Sequence, residues 1–542
     1  MQLPPLPSPR PYRDTELSAT ASGGEADKVE SDCGGVAELG ARAGGDAEGI
    51  VVVDWESASD PDNPLNWSTS RKWANVSCGI AFCFVVSISL SAYSIASEDI
   101  QRVYGCSSEL AALTVTFFTV AFAVVPLLLG PLSEIHGRAA IYLVSAVLHT
   151  LIYIPEALVI NLPTLIVLRF ISGASGSAGI CIVAGSIVDL FEEVDRGPPI
   201  AAFSLIAFGG PCAGSAIFGY VVERLGYAYV NWVLFATSGA ITTALFFVLR
   251  ESRATVLLER KAAALRARHS TTRYIALSTD NERSPASTLR LALALPLRML
   301  FTEPVLAAFT AWISFTYGVL YLTLVSIPIV FRGLYGFKTG ATGLIYVSQV
   351  VGVCLGFALD CACQVLYRRN VSQRGPEARL YTGFGAAFFI PVGAFLWAFT
   401  TYPHVFWLVP CVGMTLLYIG LFCCFLATHA YLTDTYTDYA ASAVAAMLMC
   451  RNLVGAIISV VAKFMYDRLG IQGAGALTAG LGCLLSVIPV LLFYRGQQLR
   501  ARSPFSRALR QKNDAGVASD TVFGEEEVKA VKGRTELPAL PV

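Results

Sequence analysis

Long, almost chargeless apolar stretches recur along this chain from about residue 74 to residue 494, and they limit what it can fold into. Backbone groups in hydrocarbon have no water to bond, so each stretch of about 20 residues must close its own hydrogen bonds as a helix. Twelve helices are expected, over residues 74–95, 108–129, 138–158, 162–184, 198–221, 229–249, 303–326, 340–363, 381–400, 405–428, 437–463 and 473–494. Only 14% of the residues are Asp, Glu, Lys or Arg and the mean hydropathy is +0.59, whereas a soluble chain is about a quarter charged. The expected class is therefore an all-α membrane protein in direct contact with the lipid bilayer.

The net charge is zero, which gives no support to nucleic acid as a partner. The sign is nevertheless unevenly spread. Residues 250–300 carry Arg250, Arg253, Arg260, Lys261, Arg266, Arg268, Arg273, Arg283, Arg290 and Arg298 against four acidic residues, and Arg368, Arg369, Arg374 and Arg379 follow the eighth span. The opposite loops hold few cations, among them Arg102, Arg224, Arg332, Lys338 and Arg468. Basic loops stay in the cytosol, so an even number of spans puts both termini there. Five regions follow: a polar N-terminal tail and approach segment (1–73), six helices (74–249), a cytosolic linker (250–302), six more helices (303–494) and a C-terminal tail (495–542). The tail up to Gly49, rich in Pro, Ser, Gly, Ala and acids, has the composition of a disordered segment and not of a signal peptide. Within the linker, residues 253–268 are expected to form an amphipathic helix with Val256, Leu257 and Leu258 on its apolar side.

Most of the 14 cysteines lie inside apolar spans, where they act as small hydrophobes. Cys361 and Cys363 have no histidine or second cysteine pair nearby, so neither a metal site nor a cofactor is expected. The histidines, including His136, His149 and His404, are scattered, and no nucleophile arrangement points to an enzyme. A phosphate loop ending in Gly-Lys-Ser or Gly-Lys-Thr is missing too, which leaves a nucleotide-driven pump poorly supported.

Several short stretches are more specific. Gly130-Pro131-Leu132-Ser133-Glu134-Ile135-His136-Gly137-Arg138 makes a tight turn between two spans, with glycines for close approach, Pro131 to limit the helix and a carboxylate and guanidinium at the interface. Arg169 lies in an apolar span beside Gly173 and Gly176; an embedded cation is a functional residue by default. In the fifth span, Gly209, Gly210, Pro211, Gly214 and Gly219 allow close packing and a bend. Asp60-Pro61-Asp62-Asn63-Pro64-Leu65-Asn66-Trp67-Ser68, then Arg71-Lys72-Trp73, precede the first span.

On these residues the chain resembles the major facilitator superfamily, in particular the twelve-helix drug:proton antiporters of filamentous fungi and yeasts. Residues 130–138 match that family's signature loop, with Glu134 and Arg138 at its acidic and basic positions and Ala139 where a further base is common. Arg169 matches its fourth-helix arginine, Asp189 and Arg196 the loop after that helix, Arg250 to Ala262 the start of its linker, and Asp434 to Ser442 with Arg451 its run at helix eleven. The fifth span is similar to its antiporter motif, with Ser215 at a proline position and Phe218 at a glycine position; Ser459 likewise stands where proline is common. The resemblance covers roughly residues 54–508.

It implies two six-helix bundles rocking around a central cavity, with Gly130, Glu134, Gly137, Arg138, Arg169, Asp189, Arg196, Asp434 and Arg451 in gating or coupling, and a relay between Arg169 and Glu134 as one arrangement. Protons and a small molecule are the expected partners, a monomer the expected state and the plasma membrane the expected site, with the vacuolar membrane as the alternative. Candidate proton carriers are Glu134, Asp189, Glu303, Asp360, Asp434 and Asp438. Glu109 and Glu156 read instead as rim residues on the extracellular side. Aromatic side chains suited to a cavity are Phe117, Phe118, Tyr317, Tyr321, Tyr346, Phe389, Trp397 and Tyr418. Efflux of a hydrophobic or amphipathic compound, a drug or a secondary metabolite, is favoured over polyamine, sugar or nutrient transport and over a receptor or scaffold that moves no solute.

Overall fold

The computed structural model describes residues 50–57, 59–192, 195–268, 273–276, 285–436 and 439–502. The two tails, 1–49 and 503–542, and the candidate acid Asp438 lie outside the described residues. The approach segment is folded around Asp60. Its buried carboxylate accepts the amides of Glu56 at 3.0 Å and Asp62 at 2.9 Å, and Lys261 stands 3.9 Å away. Asn63 caps a short 3-10 turn, Pro64–Asn66, by accepting the Leu65 amide at 3.1 Å. Arg71 then covers the Trp67 ring at 4.0 Å, and Trp73 meets Phe191 edge-on at 5.9 Å. The Asp-Pro-Asp-Asn-Pro run is thus a folded turn leading into the first membrane helix, whose N-cap Ser68 makes no side-chain hydrogen bond.

Eighteen α-helices follow among the described residues. The first nine are α1 (Thr69–Ile95), α2 (Ser97–Tyr104), α3 (Ser108–Val124), α4 (Pro126–His136), α5 (Arg138–Leu158), α6 (Leu162–Gly176), α7 (Ala178–Leu190), α8 (Gly197–Leu225) and α9 (Tyr227–Val248). The linker holds α10 (Ala254–Arg268) and α11 (Pro285–Thr302). After it come α12 (Pro304–Gly333), α13 (Thr339–Ile345), α14 (Val347–Arg374), α15 (Leu380–Thr400), α16 (Leu408–Tyr436), α17 (Ala440–Leu485) and α18 (Val487–Arg502).

The structure is an all-α, multi-pass membrane fold. Ten helices among the described residues are long and apolar enough to cross a membrane, and the bent pair α3 and α4 makes eleven, against the twelve expected. The difference arises at the end of the chain: the last two expected spans fall in one helical stretch, Ala440–Arg500, interrupted at Gly470, whose φ of 69° leaves helical space. Pro131 also behaves differently from expectation. It lies inside α4, which continues to His136, and the 45° bend comes earlier, at Val125 and Pro126. Proline at a first helical position costs no hydrogen bond, so the break sits where α4 starts.

Packing divides the helices by position in the sequence. α1 packs on α8 and α9, α3 on α6 and α5 on α9; α12 packs on α17, and α15 and α14 on α16. The two sets meet where α3 crosses α17 and where α8 crosses α13 and α14. α1, α12 and α16 are buried along most of their length, whereas α9 and α14 present apolar side chains outward, the surface that lipid requires. The linker helix α10 differs from the expected pattern. Leu258, Ala262 and Leu265, four and three residues apart, form its packed face, against Val53, Ala276 and Tyr274. Its partner is a two-stranded parallel ribbon, β1 (Ile50–Val53) with β2 (Arg273–Ala276), which ties the approach segment to the linker.

Burial opposes ionisation of Asp60, but the two amides and Lys261 outweigh it and hold the carboxyl below its ordinary value of 3.8. A depressed folded pKa stabilises this turn above the unfolded value and ceases to do so as pH falls through the folded one. Asp60→Ala is expected to speed amide exchange across residues 56–67 about tenfold at neutral pH, the loss of about 1.5 kcal/mol. Corrected for intrinsic rates, wild-type protection falls only below about pH 4, and the variant lacks that step; hydrogen exchange on the detergent-solubilised protein checks both.

Candidate functional site

Three clusters gather the residues that carry charge or rings into the bundle. The first lies on the linker side, around the turn between α4 and α5. Gly137 has φ +96°, and a side chain there would overlap the Glu251 carboxylate, so only glycine fits. Gly130 is not crowded in this way: a Cβ would meet Cys181 Sγ at an ordinary 3.6 Å. Arg138 opens α5 and donates from Nε to Asp189 at 2.5 Å and from Nη1 to Ser133 at 3.4 Å. Arg253 reaches the other Asp189 oxygen at 3.3 Å. Glu251 completes the knot by accepting four backbone amides, those of Arg138 (2.9 Å), Ala139 (3.2 Å), Ser252 (3.1 Å) and Arg253 (3.0 Å). An anion at the start of α5 also meets the positive end of its dipole. Arg196 donates to the carbonyls of Phe191 and Val188, closing the C-terminal end of α7.

Glu134 is exposed on α4, while the acids in this knot are Asp189 and Glu251. A parallel arrangement occurs in the second half: Arg379, just before α15, donates to Asp434 at 2.7 Å, with the Tyr367 ring under its guanidinium, and Arg500 pairs with Glu377. Asp360 accepts the Thr382 hydroxyl at 2.7 Å, and Glu303 accepts the Tyr436 hydroxyl at 3.1 Å.

The second cluster is enclosed within the first half. Arg169 on α6 is fully buried, between the rings of Tyr93 at 3.8 Å and Phe118 at 4.4 Å. It donates to the Ser89 hydroxyl at 3.1 Å and carbonyl at 3.2 Å, and pairs with Glu156 at 3.5 Å. Glu156 is therefore not a rim residue. It stands two residues from the end of α5, but its side chain turns inward, is fully buried and accepts the Tyr93 hydroxyl at 3.3 Å, leaving Oε1 without a partner. Tyr93 also donates to Asn231 at 2.9 Å; His149 and Tyr153 share a 2.8 Å hydrogen bond beneath. Arg169 thus pairs with Glu156 and not with Glu134. Glu109 is exposed at the mouth of the cavity described next.

The third cluster lies between the halves. Arg451 on α17 is buried under the Tyr317 ring at 4.1 Å, with Phe425 at 5.2 Å. Phe208 of α8 packs on Tyr317, Tyr418, Phe422 and Phe425. Above this seal, on the side away from the linker, a cavity of about 270 Å³ lies between α1, α2, α3, α12 and α17. Tyr321 lines it and hydrogen-bonds Thr119 of α3 at 3.3 Å. Of the other expected rings, Phe118 covers Arg169, Tyr418 shares 2.7 Å with Thr323, and the Tyr346 hydroxyl donates to Leu324 at 2.7 Å. Phe389 and Trp397 lie apart on α15, against Phe388 and Phe331, and Phe117 is exposed. In α8, which runs unbroken through Pro211, Gly210 and Gly214 seat the helix on Ser87, Ile88 and Ser91 of α1, and Gly219 meets Gly343 of α13. Ser215 donates to the Ser91 carbonyl at 3.2 Å. At the cavity wall Arg332 pairs with Glu98 at 2.5 Å, and between α8 and α13 the Gly340 amide donates to Glu223 at 2.6 Å. No group of three or more His, Cys, Asp or Glu side chains fit to hold a metal occurs among the described residues.

The family profile described as Major Facilitator Superfamily matches residues 78–459. The chain is 32% identical over 489 residues to the transporter paaT of Penicillium rubens, covering 88% of this chain and 86% of that one. It is 32% identical over 461 residues to the efflux pump radE of Floropilus chiversii, with 84% and 86% covered. The multidrug transporter FLU1 of Candida albicans is also 32% identical, over 84% of this chain and 76% of its own. Among solved structures, the proton:xylose symporter XylE superposes with a TM-score of 0.57 at 15% identity, covering 79% of this chain and 96% of that one. The nucleoside transporter NupG gives 0.56 at 12% identity, over 78% and 100%. At such identities the likeness is one of fold.

Glu251→Ala strips four amides of their acceptor and is expected to lower stability by about 2 kcal/mol, with Gly137→Ala acting in the same direction. Glu134→Ala, at an exposed position, should stay within about 0.5 kcal/mol of wild type. Denaturant melts of the purified protein, followed by tryptophan fluorescence, test the contrast.

Proposed function

We propose, from the premise that this chain belongs to the major facilitator superfamily, that it exports hydrophobic or amphipathic small molecules by proton antiport and alternating access. The chain is a membrane transporter for small molecules and not an enzyme. Proton coupling is carried by one observation, the buried pair of Glu156 and Arg169. A charge enclosed in hydrocarbon persists only if a counter-charge or hydrogen bonds replace its water. Ionised, Glu156 neutralises Arg169; protonated, it releases the guanidinium and lowers the cost of opening the helices around it. The free Oε1 is available for that proton. Proton uptake is thereby tied to a rearrangement among α1, α5, α6 and α9, the elements that hold Tyr93, Glu156, Arg169 and Asn231.

In this reading the helical stretch from Ala440 is two spans meeting at Gly470, which with the bent pair gives twelve spans in two bundles of six. A continuous helix of its 61 residues would run about 90 Å, three times a bilayer core. The basic linker then lies in the cytosol with both termini. The knots Arg138–Asp189 and Arg379–Asp434 stand at the cytosolic gate, and Arg332–Glu98 with Glu223–Gly340 close the opposite one. Efflux as the direction draws support from the efflux pump radE among the relatives. Polyamine export is disfavoured because the embedded acid is already neutralised by Arg169 while Arg451 adds positive charge to the interface. The plasma membrane is the proposed location.

In reconstituted vesicles with a panel of amphipathic fluorescent compounds, an imposed proton gradient should drive accumulation that a protonophore abolishes. Glu156→Gln should retain downhill exchange and lose gradient-driven accumulation by about tenfold or more. Accumulation by the variant at the wild-type rate would remove Glu156 from the coupling.

A further inference from the structure

The two embedded arginines differ in what surrounds them. Arg169 has a carboxylate, a hydroxyl, a carbonyl and two rings. Arg451 has rings only: its Nε and Nη1 are buried and unpartnered, and it makes no ion pair among the described residues. It lies 11 residues into α17, which is about 16 Å of helix, close to half the depth of a bilayer core of about 30 Å. The neighbouring polar side chains are already engaged. Asn452 donates to the Phe122 carbonyl at 3.3 Å, and His429 Nδ1 lies 2.9 Å from the carbonyl of Phe425. Leaving a buried guanidinium without an anion is costly, and ring faces recover only part of the lost hydration.

We propose that Arg451 is the anchor for a substrate anion, and that the exported class is amphipathic organic acids whose carboxylate, or a similarly delocalised oxyanion, docks on the guanidinium. A planar, forked donor fits two coplanar oxygens. Tyr317, Phe208, Phe422 and Phe425 surround the position with ring surface for an apolar body. The route follows α17. Ser459, which lines the cavity with Tyr321, is two turns beyond Arg451, and Gly455 between them gives room for the Tyr321 ring, a Cβ there lying 2.6 Å from its Cδ2. Tyr321 is the floor of the cavity and, held by Thr119 across the interface, closes it above Tyr317 and Arg451. This assignment names the substrate class of the transport reading above and rests on it.

The test uses the purified full-length protein in detergent and a panel of aryl and alkyl-aryl carboxylic acids, each paired with its methyl ester and its amine analogue. Binding is read by displacement of a tritiated acid and by thermal shift. Wild type should bind at least one acid about tenfold or more tightly than its ester and amine, because the ester leaves the guanidinium unpaired. Arg451→Gln should bring the acid down to the affinity of its ester without weakening the ester, and Arg451→Lys should keep part of the preference. Acids bound no better than esters in wild type, no acid bound at all, or a preference that survives in Arg451→Gln would each overturn the assignment. Should Arg451→Gln fail to fold, the wild-type comparison and Arg451→Lys still decide. Gradient-driven export of esters or amines that ignores Arg451 would sink this anchor and spare the transport reading; selective acid binding without gradient-driven movement would do the reverse.

Discussion

Charge withdrawn from water is the constraint around which this protein is arranged. A chain this poor in charged residues can place a guanidinium in its interior only where protein groups replace hydration, and its embedded and interfacial cations are met in three ways. Arg138, Arg253 and Arg379 sit at helix ends and take carboxylates from neighbouring segments. Arg169 takes one carboxylate, oxygen acceptors on α1 and two ring faces. Arg451 takes ring faces alone. In our reading the series runs from structural to functional as the compensation becomes less complete, because a fully satisfied pair has little reason to rearrange and an unsatisfied cation favours any anion that arrives.

The two halves apply the same device on the linker side. In the first, an arginine opening α5 meets an acid near the end of α7; in the second, an arginine preceding α15 meets an acid near the end of α16. A second carboxylate reinforces each, Glu251 by gathering backbone amides and Glu377 by pairing with Arg500. Such repetition suits a protein whose halves exchange roles through a cycle. Each knot ties helices within its own half, so it can stiffen that half as a rigid body, while the halves meet elsewhere, through α3 on α17 and α8 on α13 and α14.

Hydropathy made the spans legible, since a membrane helix must be apolar along its length whatever it packs against. The same property hid the direction in which each side chain points. A helix apolar all round has no wet face to fix its rotation, which is why Glu156, close to a helix end, read as a rim residue though it turns inward to Arg169. Glu251 was visible only as part of a linker match; a carboxylate that binds backbone amides has no side-chain partner for spacing to reveal. Glu134 carried the acid role by position in the motif, but α4 extends past Pro131 and holds it outside the knot. The break at Gly470 was legible as a gap between two apolar runs, though not as one residue with positive φ inside a continuous helical stretch. The turn at Asp60 was recognisable as a motif, and its physical content, a carboxylate holding two amides and buried near Lys261, needed the fold.

The two embedded arginines are joined by a short chain of contacts, and that gives the antiport reading a physical form. Phe118 covers Arg169, and the next residue, Thr119, bonds Tyr321 across the interface; one turn away on α12, Tyr317 covers Arg451. Spatial continuity of this kind does not itself carry coupling energy; two arrangements of the shared elements do. α3 supplies them in our reading, because it touches the proton pair through one side chain and the cavity floor through its neighbour. If protonation of Glu156 frees Arg169 to move, Phe118 must follow the ring contact, and Thr119 then leaves or rejoins Tyr321. Opening the floor exposes a cation to whatever occupies the cavity. Proton and substrate would then bias one shared element from its two ends, which is the condition for exchange of one against the other.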